Sequence, residues 1–219
     1  RLVGSEMCIR DRYYREALKL LTERRSFFES RAVRQETYTD DRGQSKTRKL
    51  DEDDIKQRYQ EYGRYLTAVA NVSRLSGDLV KSEAAFQAAG EWINRNLGRF
   101  STEYVRNMID YSTQLMENGL RTDGKFPEHS GPEQAYNYAR EQHKPTHYLT
   151  MEAMELHLKR LMDEGNMGKY SSVMIDYERL VKDYFPKNSL YNINRKLFDF
   201  SLREVRSTTG NLASEAAIL

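Results

Sequence analysis

Apolar residues along the chain recur at spacings of three, four and seven with charged residues between them, a rhythm that predicts helices almost throughout. The first is expected from Tyr13 to about Gln35, where Tyr14, Ala17, Leu18, Leu21 and Phe28 fall on one face. Thr37 to Lys49 (TYTDDRGQSKTRK) is a polar break and reads as a loop turning at Asp41-Arg42-Gly43. A long helix is expected from about Asp51 to Leu75. Its start is acidic, as the helix dipole favours, and its apolar face runs through Ile55, Tyr59, Tyr62, Leu66, Val69 and Val72. Gly77 is placed to end it and Asp78 to cap the next, which carries Leu79, Phe86, Ala89 and Ile93, with Trp92 beside them, and stops near Gly98.

Ser101 then caps a helix bearing Tyr104, Met108, Tyr111 and Leu115, closed by Gly119. Residues 119–131, with Gly124, Pro127 and Gly131, read as a second loop, and a short helix from Pro132 to about Gln142 follows with proline at its first position. After Pro145, Thr146 is the expected cap of a helix bearing Met151, Met154, Leu158 and Leu161, with Gly165 and Gly168 at its end. Tyr170 to Tyr184 presents Val173, Tyr177, Leu180 and Tyr184 on one face and stops before Pro186. Ser189 to about Arg206 presents Leu190, Ile193, Leu197 and Phe200. Successive amphipathic helices joined by short turns predict an all-α chain of antiparallel neighbours.

One segment repeats. Gly77-Asp78-Leu79-Val80-Lys81-Ser82-Glu83-Ala84-Ala85-Phe86 recurs one residue shorter as Gly210-Asn211-Leu212-Ala213-Ser214-Glu215-Ala216-Ala217-Ile218, and more loosely at Gly168-Lys169-Tyr170. The string leading on from Tyr170, SSVMIDYERLVKDYFP, resembles the second helix of a tetratricopeptide repeat. On that family's roughly 34-residue pattern, Gly63 to Asn96 fits in one frame. Leu66, Val69 and Ala70 take the large, apolar and small positions of the first helix, and Ser82, Phe86 and Ala89 the small, aromatic and small positions of the second. Ser73, Ser82 and Asn94 depart from the usual aromatic, alanine and proline. Met154 to Lys187 matches only in its second helix, and Gly98 to Lys144 has no clean match.

The resemblance implies a tetratricopeptide-like α-solenoid, a right-handed array of antiparallel helix pairs, over residues 13–219. It also implies a scaffold that holds a peptide or partner protein on a concave face lined by the first helix of each pair. In the best repeat the ligand-contacting positions of the family fall on Arg64, Thr67, Asn71 and Arg74. The competing architecture is an irregular helical bundle around one enclosed centre. The competing roles are an accessory region of a larger enzyme and a structural bundle without a defined ligand.

Composition alters this picture at the edges. Residues 1–12, RLVGSEMCIRDR, lack the rhythm of the rest and resemble a translated sequencing adapter, so they are expected to be non-native or disordered and are set aside. Gly210 to Leu219 reads as the opening of a helix, so the chain is expected to be truncated at both ends. The one cysteine, Cys8, falls in the segment set aside, leaving no thiol chemistry for the remainder. Lys plus Arg is 35 against 33 for Asp plus Glu, a net charge of +2 that gives no global pull toward nucleic acid or acidic membrane. No apolar run approaches the roughly 20 residues needed to span a bilayer, and cytoplasmic and periplasmic locations stay equally open.

No phosphate loop, nucleophile elbow or kinase signature is present, so no cofactor and no enzymatic activity are expected. The acidic run Asp51 to Asp54 lacks the glycine and closing glutamate of a calcium loop and suits a helix N-terminus. All four histidines, His129, His143, His147 and His157, lie in one stretch; His143 and His147 have the four-residue spacing of a helical metal pair, but Pro145 interrupts the helix, so a metal site would have to be built from loops, with Glu128 nearby. Lys46, Arg48 and Lys49 could touch an anion. Tyr59, Tyr62, Arg64 and Tyr65 interleave aromatic rings with charge, which suits either base stacking or a core stripe with a charged flank.

Overall fold

The computed structural model describes the backbone of residues 2–118 and 131–201, with side chains from residue 12 onward. Among the described residues the chain is mostly helical with one two-stranded sheet, and residues 1–142 and 143–219 form two compact units. Helix α1 runs Leu2–Glu23, so helical backbone continues through the segment set aside above. A single helix to Gln35 does not form. Arg24 breaks the helix and α2 spans Arg25–Arg31, which brings Phe28 flat against Tyr65 at 4.6 Å.

The expected loop over residues 37–50 is instead a small antiparallel hairpin, and the described residues otherwise keep the all-α character that the spacing predicts. Strand β1 (Gln35–Thr39) pairs with β2 (Ser45–Lys49) in the register Gln35↔Lys49 to Thr39↔Ser45. Thr37, Tyr38, Thr39 and Thr47 are β-formers whose alternation is masked by their polarity. The predicted turn does form: Asp40 Oδ1 accepts from the backbone N–H groups of Arg42 and Gln44, and Gly43 takes φ 75°. Leu50, at the hairpin's exit, is buried.

Helices α3 (Glu52–Leu75), α4 (Leu79–Leu97), α5 (Thr102–Glu117) and α6 (Pro132–Gln142) complete the first unit. Asp51, Asp78 and Ser101 cap α3, α4 and α5, each accepting from the backbone N–H three residues on, worth about 1 kcal/mol apiece. Helix α3 packs against α1, α2, α4 and α5, so its buried arc is wider than one stripe. Tyr59, Tyr62, Gly63, Tyr65, Thr67, Ala70 and Ser73 are buried, while Leu66, Val69 and Val72 are half-buried.

The deepest positions of α3 are small because its neighbours come close. A Cβ on Gly63 would stand 3.1 Å from Ile93 Cγ1, and Ser82 Oγ donates to the Ala70 carbonyl at 2.8 Å. The large side chains fill what remains: Phe86 and Tyr111 stack at 5.5 Å in a cluster with Ala70 and Leu115. On the other flank of α3, Trp92 packs edge-on against Tyr59 and Tyr62.

In the second unit, α7 (Tyr148–Asp163), α8 (Met167–Tyr184) and α9 (190–201) follow one another. The α7 cap is His147 rather than Thr146, its Nδ1 accepting from the Leu149 N–H at 3.3 Å. The turn between α7 and α8 reproduces the turn between α3 and α4 bond for bond. Gly77 N–H reaches Arg74 O and Asp78 N–H reaches Ser73 O; Gly165 N–H reaches Met162 O and Asn166 N–H reaches Leu161 O. Both glycines have positive φ, 84° and 68°, where a Cβ would be strained. Asp78 and Asn166 then cap by accepting from Lys81 and Lys169.

The looser copy of the turn therefore lies at Gly165-Asn166-Met167, and Gly168 sits inside the first turn of α8. Matching Gly77 to Gly165 lays Leu66, Ala70 and Phe86 over Met154, Leu158 and Met174, all three buried. The expected ends at Gly119 and Arg206, and the copy at Gly210 to Ile218, lie outside the described residues.

Candidate functional site

The four positions that the family resemblance implies form one row, and every one of them meets α5. Arg64 donates through Nε and Nη2 to Glu103 Oε1 at 3.1 and 2.9 Å. Thr67 Oγ1 donates to Asn107 Oδ1 at 3.2 Å, and Asn107 Nδ2 passes on to the Phe86 carbonyl at 3.1 Å. Asn71 Nδ2 donates to Asp110 Oδ2 at 2.6 Å, and Arg74 Nη1 to Glu117 at 2.5 Å. The match follows from helical repeat: positions three or four apart on α3 meet positions three, four or seven apart on α5. Glu103, Asn107, Asp110 and Glu117 carried that rhythm in the sequence. Seeing it required knowing that α3 and α5 lie side by side.

The row is not uniform. The Thr67 residue is buried, so its hydroxyl ties the two helices together. The Glu103 side chain is 1% exposed, whereas the Arg64 side chain that pairs with it is 67% exposed. A buried carboxylate thus holds an exposed guanidinium in place. Arg106, at 3.6 Å from Asp110, adds a cation beside Asn71. The row therefore fixes the direction of polar groups across the α3–α5 contact.

The other candidates resolve individually. Tyr59, Tyr62 and Tyr65 are buried, with Tyr62 Oη donating to Glu29 at 3.2 Å and Tyr65 Oη to the Leu21 carbonyl at 2.9 Å. Their faces pack inward and form no stacking platform. Lys46 pairs with Asp40 at 2.7 Å, and Arg48 pairs with Glu36, which also accepts from Arg58 at 2.6 Å. The Arg58 and Arg48 hydrogen bonds hold the Glu36 carboxyl below its ordinary range. Lys49 lines an open cleft of about 720 Å³ with Arg34, Leu50, Ile55, Tyr59 and Leu97.

His143 and His147 stack face to face, ring centres 4.2 Å apart and 14° from parallel. Lone pairs on imidazole nitrogens lie in the ring planes, so two stacked rings do not aim them at one ion, and this pair is not a chelate. Burial and then the neighbouring His147 hold His143 below its usual range. Glu128 and His129 lie outside the described residues. Among the described residues no three His, Cys, Asp or Glu side chains gather as metal ligands, and no helix is long and apolar enough to cross a membrane. Comparison with protein-family models, with curated proteins and with solved structures finds no match to the chain.

Proposed function

We propose that the chain is a non-catalytic scaffold of tetratricopeptide-like helix pairs that binds a peptide or a partner protein along the α3–α5 face. The pairs would be α3 with α4 and α5 with α6 in the first unit, and α7 with α8 in the second. The order of packing in the first unit supports this, because α3 touches both α4 and α5 while α4 touches α5. The repeated turn at Gly77 and Gly165 supports it as well. One observation carries the functional reading: Arg64 stays two-thirds exposed while Glu103, buried beneath it, fixes its direction. A guanidinium already oriented loses less freedom on meeting a carboxylate or backbone carbonyl, which is the advantage of a preorganised recognition surface.

Placing a photo-crosslinking residue at Arg64 or Arg106 tests the reading in an extract of the native cells. Adducts of the same mass from both positions, and none from the more exposed α4 position Val80, are expected. Equal labelling from Val80, or no adduct from either α3–α5 position, removes this face from the proposal.

A further inference from the structure

At the joint between α8 and α9, Glu178, Lys182, Phe185, Lys187, Asn192, Arg195 and Lys196 enclose a pocket of about 380 Å³. Four of its walls are cationic and one is acidic, in a chain whose charges otherwise nearly cancel. Outside the pocket, Arg58, Arg64 and Arg74 stand 2.5–2.9 Å from their carboxylates. Arg195 differs, because its nearest carboxylates, Asp199 and Glu178, are 3.6 and 3.9 Å away. Lys182, Lys187 and Lys196 have no carboxylate within 4.0 Å among the described residues. Gathering like charges in this way costs free energy unless something neutralises them.

The walls are also held in place. Asn192 Nδ2 donates to the Pro186 carbonyl at 2.9 Å and lies 3.4 Å from the Phe185 carbonyl, which fixes the loop carrying Phe185 and Lys187. The Phe185 ring rests on Tyr191 at 4.5 Å. From the next turn of α9, Asn194 donates to Glu155 of α7 at 3.0 Å and secures the helix that bears Arg195 and Lys196. An aromatic wall beside converging cations suits a ligand with an apolar ring and a compact anionic group.

We propose that this pocket binds a phosphate monoester carried on an aromatic body, with Arg195, Lys187 and Lys196 meeting the phosphate and Phe185 packing on the ring. A dianionic phosphate neutralises more of the excess charge than a single carboxylate, and its three terminal oxygens can meet several donors at once. The site lies in residues 143–219 and stands independently of the α3–α5 face.

Titration calorimetry on the whole chain at fixed ionic strength tests it, with phenyl phosphate, inorganic phosphate and phenol as probes. Phenyl phosphate is expected to bind at least about tenfold more tightly than inorganic phosphate, and phenol not to bind. The double substitution Lys187→Ala and Lys196→Ala, at exposed positions, should weaken phenyl phosphate by about tenfold or more. Phe185→Leu should bring it down to the level of inorganic phosphate. Adenosine monophosphate and a phosphotyrosyl peptide then distinguish a nucleotide from a phosphorylated side chain as the source of the group. The proposal is overturned if phenyl and inorganic phosphate bind alike, or if the double variant, with an unchanged melting curve, binds phenyl phosphate as the wild type does.

Discussion

Truncation of Phe86 to alanine is expected to remove about 3–5 kcal/mol of stability from the first unit. The side chain is fully buried and stacks on Tyr111, within a cluster that includes Ala70 and Leu115. It fills the space where α3, α4 and α5 meet, and the helix backbones there are already held close by Ser82, so the cavity has little room to collapse. The Phe86 carbonyl also accepts from Asn107, which holds Thr67 in turn, so the damage should spread into the polar row. Trp92 is the one tryptophan in the sequence and packs on Tyr59 and Tyr62, so its fluorescence reports this unit during urea unfolding. As a control, Val80→Ala, at an 82% exposed position, should change stability by no more than about 0.5 kcal/mol. A loss below about 1 kcal/mol for Phe86→Ala would contradict the packing described here.

Glu155 is expected to withdraw stability from the second unit as pH rises, and Glu155→Gln to abolish that contribution. The Tyr177 hydroxyl lies within hydrogen-bond reach of two acceptors, Glu155 Oε1 and, at 3.2 Å, the Tyr191 carbonyl. It has one proton to give. With Glu155 ionised, that proton goes to the carboxylate and the Tyr191 carbonyl faces a bare oxygen. With Glu155 protonated, the carboxyl donates to Tyr177 and Tyr177 donates to Tyr191, so both contacts are satisfied. Burial is the largest influence raising Glu155 above its ordinary range; Tyr177 and Asn194 pull it down, and the charge of Glu152 pushes it up. From α9, Tyr191 and Arg195 are the titratable groups at this cluster.

The sign follows from proton linkage. Below the unfolded value, near 4.5, both states hold the proton and Glu155 contributes no slope. As pH rises through the raised folded value, the unfolded chain has already released a proton that the folded chain still binds, and stability falls. Glutamine keeps a donor toward Tyr177 and cannot ionise. The difference in unfolding midpoint between Glu155→Gln and wild type should therefore be near its minimum at acid pH and grow toward neutrality in favour of the variant. Tyr177→Phe should cost about 1–3 kcal/mol, because it leaves the buried carboxyl without its closest partner. A midpoint difference that does not change with pH would refute the account of Glu155.

Local chemistry was legible in the sequence wherever one residue decides. Pro132 opens α6, Asp78 and Ser101 cap their helices, and Phe86 and Ala89 reach the core as their spacing predicts. The hairpin was not legible, because its strands bury almost nothing and no apolar alternation marks them. The looser copy of the turn falls at Gly165 rather than Gly168, a choice between two glycines three residues apart. Asn166, an excellent cap, follows Gly165, whereas a lysine follows Gly168, and that was the signal that could have decided it. The α5 half of the polar row depends on which helices become neighbours, a property of the folded chain that the periodicity within any one helix does not encode.

The hairpin is fastened unlike the rest of its unit. Leu50 anchors its base, but its body is tied to α3 chiefly by the Arg48–Glu36–Arg58 bridge and a long contact from Arg34 Nε to Tyr59 Oη, 3.4 Å. Attraction between partly solvated charges weakens once the screening length falls to a few ångströms in concentrated electrolyte, whereas burial of Phe86 or Ile93 does not. Ionic strength therefore acts selectively on this one element. Raising it should loosen the strands like a flap on a hinge at Leu50 and widen the cleft beneath Lys49, while the helices keep their places.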